Sequence, residues 1–466
     1  MKQPNILFLM TDEQKFDTFS CINPTIRTPH LDALIDDSVF FENAYCSNPS
    51  CVPSRAAIMT GKYPTRCECP TYISMLPDTE KTYMTRLQES GYYTAVVGKQ
   101  HFAGSTVARG HDFECIVDGH FPTAPASDNI APYLAFLAQQ GVTDLPALSD
   151  DSLIIGGAWK GDIRYHIDHF IGETGRNWLA QHIDETHADP NAKPWYMTLS
   201  FPGPHQPYDC EDTEYADLYA LDDLTHQGAT SEARKVKPAI YEKLNPKAYT
   251  DKYSEETFLK TKRAYYANMS LIDAKIGEVI AMLKEKGEYD NTMIVYSSDH
   301  GDFMGEFGLV SKAQYLSEAL MRVPLIVKPP LADFKGKLVK DYVTNIDIAS
   351  TCLTVANASE QICDGMERHP YDAYWSGVSV STRDHLYMEA HDMKGIIEDG
   401  IKTIYYVNRD YGELYDLNND PCEKVNLWDD AAYQAAKTHA LGRIINQMFA
   451  LSPKSEMEWN YNAPKI

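Results

Sequence analysis

The sequence predicts an α/β fold: a large, mostly parallel (mixed) sheet sandwiched by helices, with a smaller C-terminal α+β domain containing an antiparallel sheet. Three observations carry that expectation. Short, nearly continuous apolar runs each end in polar residues, as parallel strands covered on both faces do. Amphipathic helical stretches lie between those runs. After about residue 365 the texture changes to short strands and tight turns, which divides the chain into a larger domain, 1–365, and a smaller one, 366–466.

The elements follow in order. "PNILFLMTDEQ" opens the chain as a buried strand ending near Asp12. "GYYTAVVGKQH" (91–101) repeats the pattern and ends at Lys99 and His101, and "PWYMTLSFPGPHQPY" (194–208) ends at His205. The stretch 209–260 is polar, Tyr-rich and irregular, which reads as a long surface insertion or lid. Residues 261–287 place Tyr265, Met269, Ile272, Ile276, Val279, Ile280 and Leu283 along one helical face and stop in Lys and Gly. "NTMIVYSSDHGD" (291–302) is the fourth strand, ending at Asp299 and His300. "DHLYMEA", "IKTIYYV" and "GELYDL" read as short strands of the second domain, followed by a helix near 430–450.

Composition narrows the function. The chain has 466 residues, 44% hydrophobic and 23% charged, an ordinary globular balance. Its formal charge of -24 argues against non-specific nucleic-acid binding, so an anionic ligand needs a locally cationic cleft or a metal. No run approaches the roughly 20 apolar residues that span a bilayer, so no membrane partner is expected. Met1-Lys-Gln-Pro leads straight into a strand without the features of a signal peptide, and the ten cysteines are scattered. Reduced thiols in a cytoplasmic protein are therefore expected. Cys67-Glu68-Cys69 is too tight for a usual zinc pair and has no second pair.

In open parallel sheets, ligand sites form beyond the carboxyl ends of the strands. Four such ends here carry Asp12/Glu13/Gln14, Lys99/His101, His205 and Asp299/His300. Each alone has a plain explanation: a helix cap for Asp12, a solvated charge for Lys99, a loop histidine for His205, a turn for 299–302. Together they point to a hard divalent cation held by carboxylates and facing cations that bind an anionic tetrahedral group. Cys51 precedes a helix, where backbone N–H groups and the dipole favour negative charge, and Arg55 stands close by. Local sequence leaves it as either a buried structural thiol or a low-pKa thiolate.

The segment "CVPSRAAIMTGKYPTR" (51–66) resembles the signature of the formylglycine-dependent sulfatases, Cys-x-Pro-Ser-Arg followed by Thr-Gly, here Cys51, Pro53, Ser54, Arg55, Thr60 and Gly61. The resemblance runs along the chain through "NILFLMTDEQ", "VVGKQHFAG", "GPHQPY", "SSDHGDFMGEFGLVSK" and "GELYDLNNDPCEKVNL". It implies that Cys51 is oxidised by a formylglycine-generating maturase to Cα-formylglycine. The hydrated aldehyde would attack sulfur with one hydroxyl and expel sulfate through the other, which a serine could not do. The resemblance further implies Asp12, Glu13, Asp299, His300 and position 51 as metal ligands, with Gln14 a possible substitute for Glu13. Arg55 would hold the diol, Lys99 and Lys312 the sulfate oxygens, His101 would assist sulfate release, and His205 would protonate the leaving alcohol.

The departures are Glu13 in place of a second aspartate and His300 in place of a common asparagine. The Asp-His pair is similar to the choline-sulfatase and phosphonate monoester hydrolase branch of the alkaline phosphatase superfamily. Calcium is the expected metal, with Mn2+ and Mg2+ as alternatives. The expected substrate is a small organic sulfate such as a sulfated mono- or disaccharide, and the alternative is a phosphonate monoester or phosphodiester. Residues within 102–125 and 156–176, among them Trp159, Lys160, Arg164, Tyr165 and His166, are candidates for the pocket lining, most of them more in keeping with surface or packing positions.

Overall fold

The structure, a computed structural model, describes residues 3–102, 109–119, 129–142, 149–226, 228–243, 246–380 and 383–452. In chain order the strands are β1 (Asn5–Asp12), β2 (Val39–Tyr45), β3 (Tyr93–Gly98), β4 (Phe113–Ile116), β5 (Ser149–Leu153), β6 (Gly156–Ala158), β7 (Trp195–Pro204), β8 (Thr292–Ser298), β9 (Leu325–Lys328), β10 (Lys337–Thr344), β11 (Leu386–Ala390), β12 (Met393–Glu398), β13 (Ile401–Tyr406) and β14 (Gly412–Asp416).

Eight of them form one sheet in the order β10-β2-β9-β8-β1-β7-β3-β4. Every pair is parallel except those of β9, which runs antiparallel to both β2 and β8. The four strands read from the apolar runs are neighbours, β8-β1-β7-β3, so their carboxyl ends share one edge. Strand β1 shows why the run is apolar throughout. Leu7 and Leu9 enter one core with Ile171, Leu179 and Ile272, whereas Ile6, Phe8 and Met10 enter another with Ala56, Ile58 and Leu353. Alternate side chains of a strand face opposite layers, so a strand covered on both sides needs no polar face.

One layer holds the helices Ile167–Ala188 and Glu255–Glu285; the other holds Cys51–Thr60, Tyr83–Glu89 and Ile348–Val355. The helix expected over 261–287 begins at Glu255, because Ser254 caps it by accepting the Thr257 N–H and two glutamates fill its first turn. The stretch 209–260 carries short helical turns and no strand among its described residues. The C-terminal sheet is a four-stranded antiparallel meander, β11-β12-β13-β14, followed by the helix Gln434–Leu451. Its second strand was not read from the sequence because Gly395 interrupts the apolar pattern. Among the described residues no helix is long and apolar enough to cross a membrane.

Candidate active site

The helix Cys51–Thr60 buries all ten of its residues and ends at Gly61, whose φ of 69° is the left-handed conformation that closes a helix. Its first residue, Cys51, is fully buried beneath the carboxyl edge of β8, β1, β7 and β3. The Cys51 sulfur lies 2.9 Å from Lys312 Nζ, 3.2 Å from His300 Nε2 and 3.5 Å from Asp12 Oδ1. Arg55, one turn on, is equally buried. Its guanidinium donates to Asp299 (2.7 Å), Asp12 (2.9 Å), the Lys99 carbonyl (2.9 Å) and Ser200 Oγ (3.1 Å). Ser54 completes the clamp by donating to the Asp299 carbonyl at 2.6 Å.

The remaining expected residues converge on the same point, with one exception. Lys99 Nζ lies 2.7 Å from Asp12, and Lys312 Nζ 2.9 Å from Glu13. His205 Nε2 lies 3.2 Å from Glu13 and 3.9 Å from Asp12, with its Nδ1 against the Gln206 carbonyl. His101 lies two residues beyond Lys99 and packs its ring against Tyr72, and its backbone N–H donates to Asp118. The exception is Gln14. Its amide accepts from Thr11 and Tyr296 and donates to Thr18, so it is committed away from the cluster and does not substitute for Glu13.

Glu13 reaches the site because its backbone takes a left-handed φ of 64°; His101 (51°) and Ser311 (63°) do the same. Non-glycine residues in that region cost about 1–3 kcal/mol each and concentrate where function demands a fixed side chain. Glu13 is held there from both ends, its N–H donating to Asp299 and its carbonyl accepting from Tyr265.

Two supports were not read from the sequence. Gln206 donates its amide to both Glu13 oxygens, at 2.9 and 3.1 Å, and Ser311 donates its N–H to both Asp302 and Tyr208. Their adjacency to His205 and Lys312 was the available signal. The pocket-lining candidates fall elsewhere. Trp159 and His166 are buried, while Lys160 and Arg164 are exposed and paired with Asp212 and Asp162. Tyr165 packs on Phe136, and 103–108 and 120–125 lie outside the described residues.

The electrostatics fit an anion site with an acidic floor. Burial opposes ionisation of Asp12, but Lys99 and Arg55 outweigh it and hold the carboxyl well below the usual carboxylate range. Burial and Asp12 push the Cys51 thiol up, and Lys312, Lys99 and His300 together bring it below its ordinary value. Burial likewise opposes charge on Lys312, yet Cys51, Glu13 and Asp12 keep its ammonium well above the usual range. His101 is driven down to about 4 by burial and by Lys99, so it is a neutral base at neutral pH.

The donor set also suits a divalent cation. Ligand atoms of Asp12, Cys51, Asp299 and His300 all lie within 4.8 Å of one another, as do those of Asp12, Glu13 and His205. His300 donates Nδ1–H to the Gly301 carbonyl at 2.9 Å, which turns Nε2 towards the Cys51 sulfur and the Asp12 and Asp299 carboxylates, where it would serve as the ligand atom once a cation displaces its proton. Asp12, Glu13 and Asp299 are matched by Arg55, Lys99 and Lys312, so a bound divalent ion leaves the site with surplus positive charge. An anionic ester balances that surplus.

Comparison with known proteins agrees with this geometry. Residues 4–358 match the family described as Sulfatase, and residues 305–449 match the one described as N-sulphoglucosamine sulphohydrolase, C-terminal. The chain belongs to the sulfatase family. It is, by that membership, a sulfuric ester hydrolase. It is 28% identical over 433 residues to a choline-sulfatase of Rhizobium meliloti, covering 91% of this chain and 82% of that one. It is 26% identical over 490 residues to an N-acetylglucosamine-6-O-sulfatase of Bacteroides thetaiotaomicron, covering 96% and 86%. Its fold superimposes on a phosphonate monoester hydrolase of Agrobacterium radiobacter with a TM-score of 0.81 at 19% identity, over 96% of each chain.

Proposed function

We propose that the chain hydrolyses the sulfate ester of a small substrate, a sulfated mono- or disaccharide or another small organic sulfate, at position 51 after conversion of Cys51 to Cα-formylglycine. The observation that carries this reading is the position of the Cys51 sulfur, in contact with Lys312, His300 and Asp12 at the mouth of a buried helix. Conversion supplies a hydrated aldehyde with two hydroxyls, one to attack sulfur and one whose deprotonation releases sulfate. Asp12, Glu13, Asp299 and His300 would hold the divalent ion, calcium by preference, which supplies Lewis acidity to the attacking oxygen.

The residues of the chain do the rest. Arg55 fixes Asp12 and Asp299 and faces the modified side chain. Lys99 and Lys312 bind the sulfuryl oxygens and stabilise charge that grows there in the transition state. His101, neutral at working pH, takes the proton from the second hydroxyl. His205 protonates the leaving alcohol. Cys51 is fully buried, so the formylglycine-generating maturase acts before the chain closes over it. The proposal also takes the protein to be cytoplasmic, a setting that keeps its scattered thiols reduced. The same proposal takes 1–365 as the catalytic domain and 366–466 as a smaller one, each with its own sheet.

The second reading, hydrolysis of a phosphonate monoester or phosphodiester, is favoured by His300, because an imidazole ligand suits manganese better than calcium. The charge balance accommodates either anion. Comparing kcat/KM for an aryl sulfate and an aryl phosphonate, with Ca2+, Mg2+ and Mn2+ in turn, decides between them. The sulfatase reading expects the sulfate ester to be preferred with calcium; strong preference for the phosphonate overturns it.

A further inference from the structure

The helix Ile167–Ala188 and the segment that carries His205 meet at a second cluster of metal-ligating side chains. His166, Asp209 and Cys210 offer donor atoms that all lie within 4.8 Å of one another, and the three residues are 1%, 7% and 0% exposed. The two separations from the imidazole nitrogen have the size found in a tetrahedral zinc site. With Zn–N and Zn–O near 2.0–2.1 Å and Zn–S near 2.3 Å, tetrahedral angles place nitrogen about 3.3 Å from oxygen and about 3.6 Å from sulfur. His166 Nε2 stands 3.1 Å from Asp209 Oδ1 and 3.6 Å from Cys210 Sγ.

The far side of the imidazole is also built for such a site. Asp168 Oδ2 faces His166 Nδ1 at 3.6 Å, in the place of the carboxylate that commonly orients a metal-bound histidine. Asp168 is itself anchored by the Gly203 N–H (3.1 Å) and by Asn268 (2.9 Å). The Asp168 N–H donates to Nδ1 at 3.2 Å; a metal at Nε2 would shift the proton to Nδ1 and exchange that contact for the carboxylate. The Trp159 ring packs edge-on against the imidazole, with 5.0 Å between the ring centres.

The geometry points to a zinc site formed by His166 Nε2, Asp209 and the Cys210 thiolate, with water as the fourth ligand, distinct from the site at Cys51. Cys210 binds as the thiolate, and its proton leaves to solvent. One nitrogen, one oxygen and one sulfur donor favour zinc over calcium or magnesium, which take oxygen. The site acts by position. Gly203 is held through Asp168 at one end of the segment and Asp209 and Cys210 at the other, so the metal clasps both flanks of His205 to one helix. This inference extends the assignment of His205, but its test depends neither on conversion of Cys51 nor on turnover.

The experiment is a cobalt(II) titration of the full-length Cys51→Ala chain, in which the other thiol facing a metal cluster is absent. A near-ultraviolet thiolate-to-cobalt absorption that saturates with one cobalt, is displaced by zinc and is lost in the additional Cys210→Ser variant is the expected result. Elemental analysis of the Cys51→Ala chain, grown with zinc and dialysed, is expected to give about one zinc per chain more than the Cys51→Ala, Cys210→Ser chain. The absence of the absorption from the folded Cys51→Ala chain, or its retention after Cys210→Ser, overturns the inference.

Discussion

At the scale of single residues, the site is a balance of buried charges that the substrate completes. Lys312 occupies two roles at once, pairing with Glu13 and lying 2.9 Å from the Cys51 sulfur. If Lys312 binds the sulfuryl oxygens as proposed, Lys312→Ala is expected to lower kcat/KM for an aryl sulfate by about 10²–10³-fold, as loss of one oxyanion donor does. A change of less than threefold in steady-state assays would remove Lys312 from the chemistry. Asp12, Glu13, Lys99, His101, His205, Asp299 and His300 were legible as candidates because strand ends in a parallel sheet gather at one edge, whereas Lys312 was named only through the family resemblance. The reach of these side chains was not legible. Gln14 and Glu13 are consecutive, and only the left-handed backbone at Glu13 and the Thr11–Tyr296 pocket around Gln14 decide which side chain enters the cluster. Such choices depend on partners distant in sequence, as Gln206 and Ser311 also show.

At the scale of elements, helices were legible where their caps were local and obscure where they were tertiary. The short helix Pro29–Ile35 has no side-chain cap of its own from Thr28. Instead Asp273, on the helix Glu255–Glu285, accepts the His30 N–H (3.1 Å) and the Leu31 N–H (2.7 Å). Burial raises the Asp273 carboxyl to about 7 despite those two donors. A folded-state value above the unfolded one, about 3.9, means stability that is present below pH 4 and lost as pH rises through 7. Asp273→Asn abolishes that slope. In urea unfolding of both proteins from pH 4 to 7, the parent is expected to lose stability relative to the variant, by up to about 1.4 kcal/mol per pH unit. Parallel curves would contradict the assignment. Among the strands missed by sequence reading, β2, β9 and β12 have a similar explanation. Polar residues at Glu42 and Asn43, the brevity of Leu325–Lys328 and Gly395 all break the pattern that identifies a strand in isolation.

At the scale of the whole molecule, the C-terminal sheet is joined to the rest by a buried ionic network. Glu423 pairs with Lys237 from the 209–260 stretch (2.7 Å) and with Lys402 on β13 (2.8 Å). It also accepts from Ser317 and the Glu318 N–H, a few residues beyond Lys312. Burial opposes its charge, and the two lysines bring its carboxyl down to about 2. Glu423→Gln leaves two buried ammonium groups short of a partner and is expected to cost about 3–5 kcal/mol. Because the folded-state value is depressed, the gap between parent and variant is widest above about pH 4.5 and closes as pH falls towards 2. Denaturant titrations at pH 7 and pH 3 check both statements; a constant gap would contradict the second. The layered α/β architecture was legible from the alternation of strand and helix. The order of the strands and the antiparallel β9 were not, because pairing partners up to several hundred residues apart leave no local mark.

The account rests on position 51 being an aldehyde-derived nucleophile in the active protein. Mass spectrometry of the peptide that spans Cys51, from protein made in its native host and shown to hydrolyse an aryl sulfate, tests this most directly. The expected result is a peptide in which the thiol-bearing carbon has become an aldehyde, with turnover in proportion to the converted fraction. A fully active preparation whose Cys51 is entirely an unmodified thiol would contradict it.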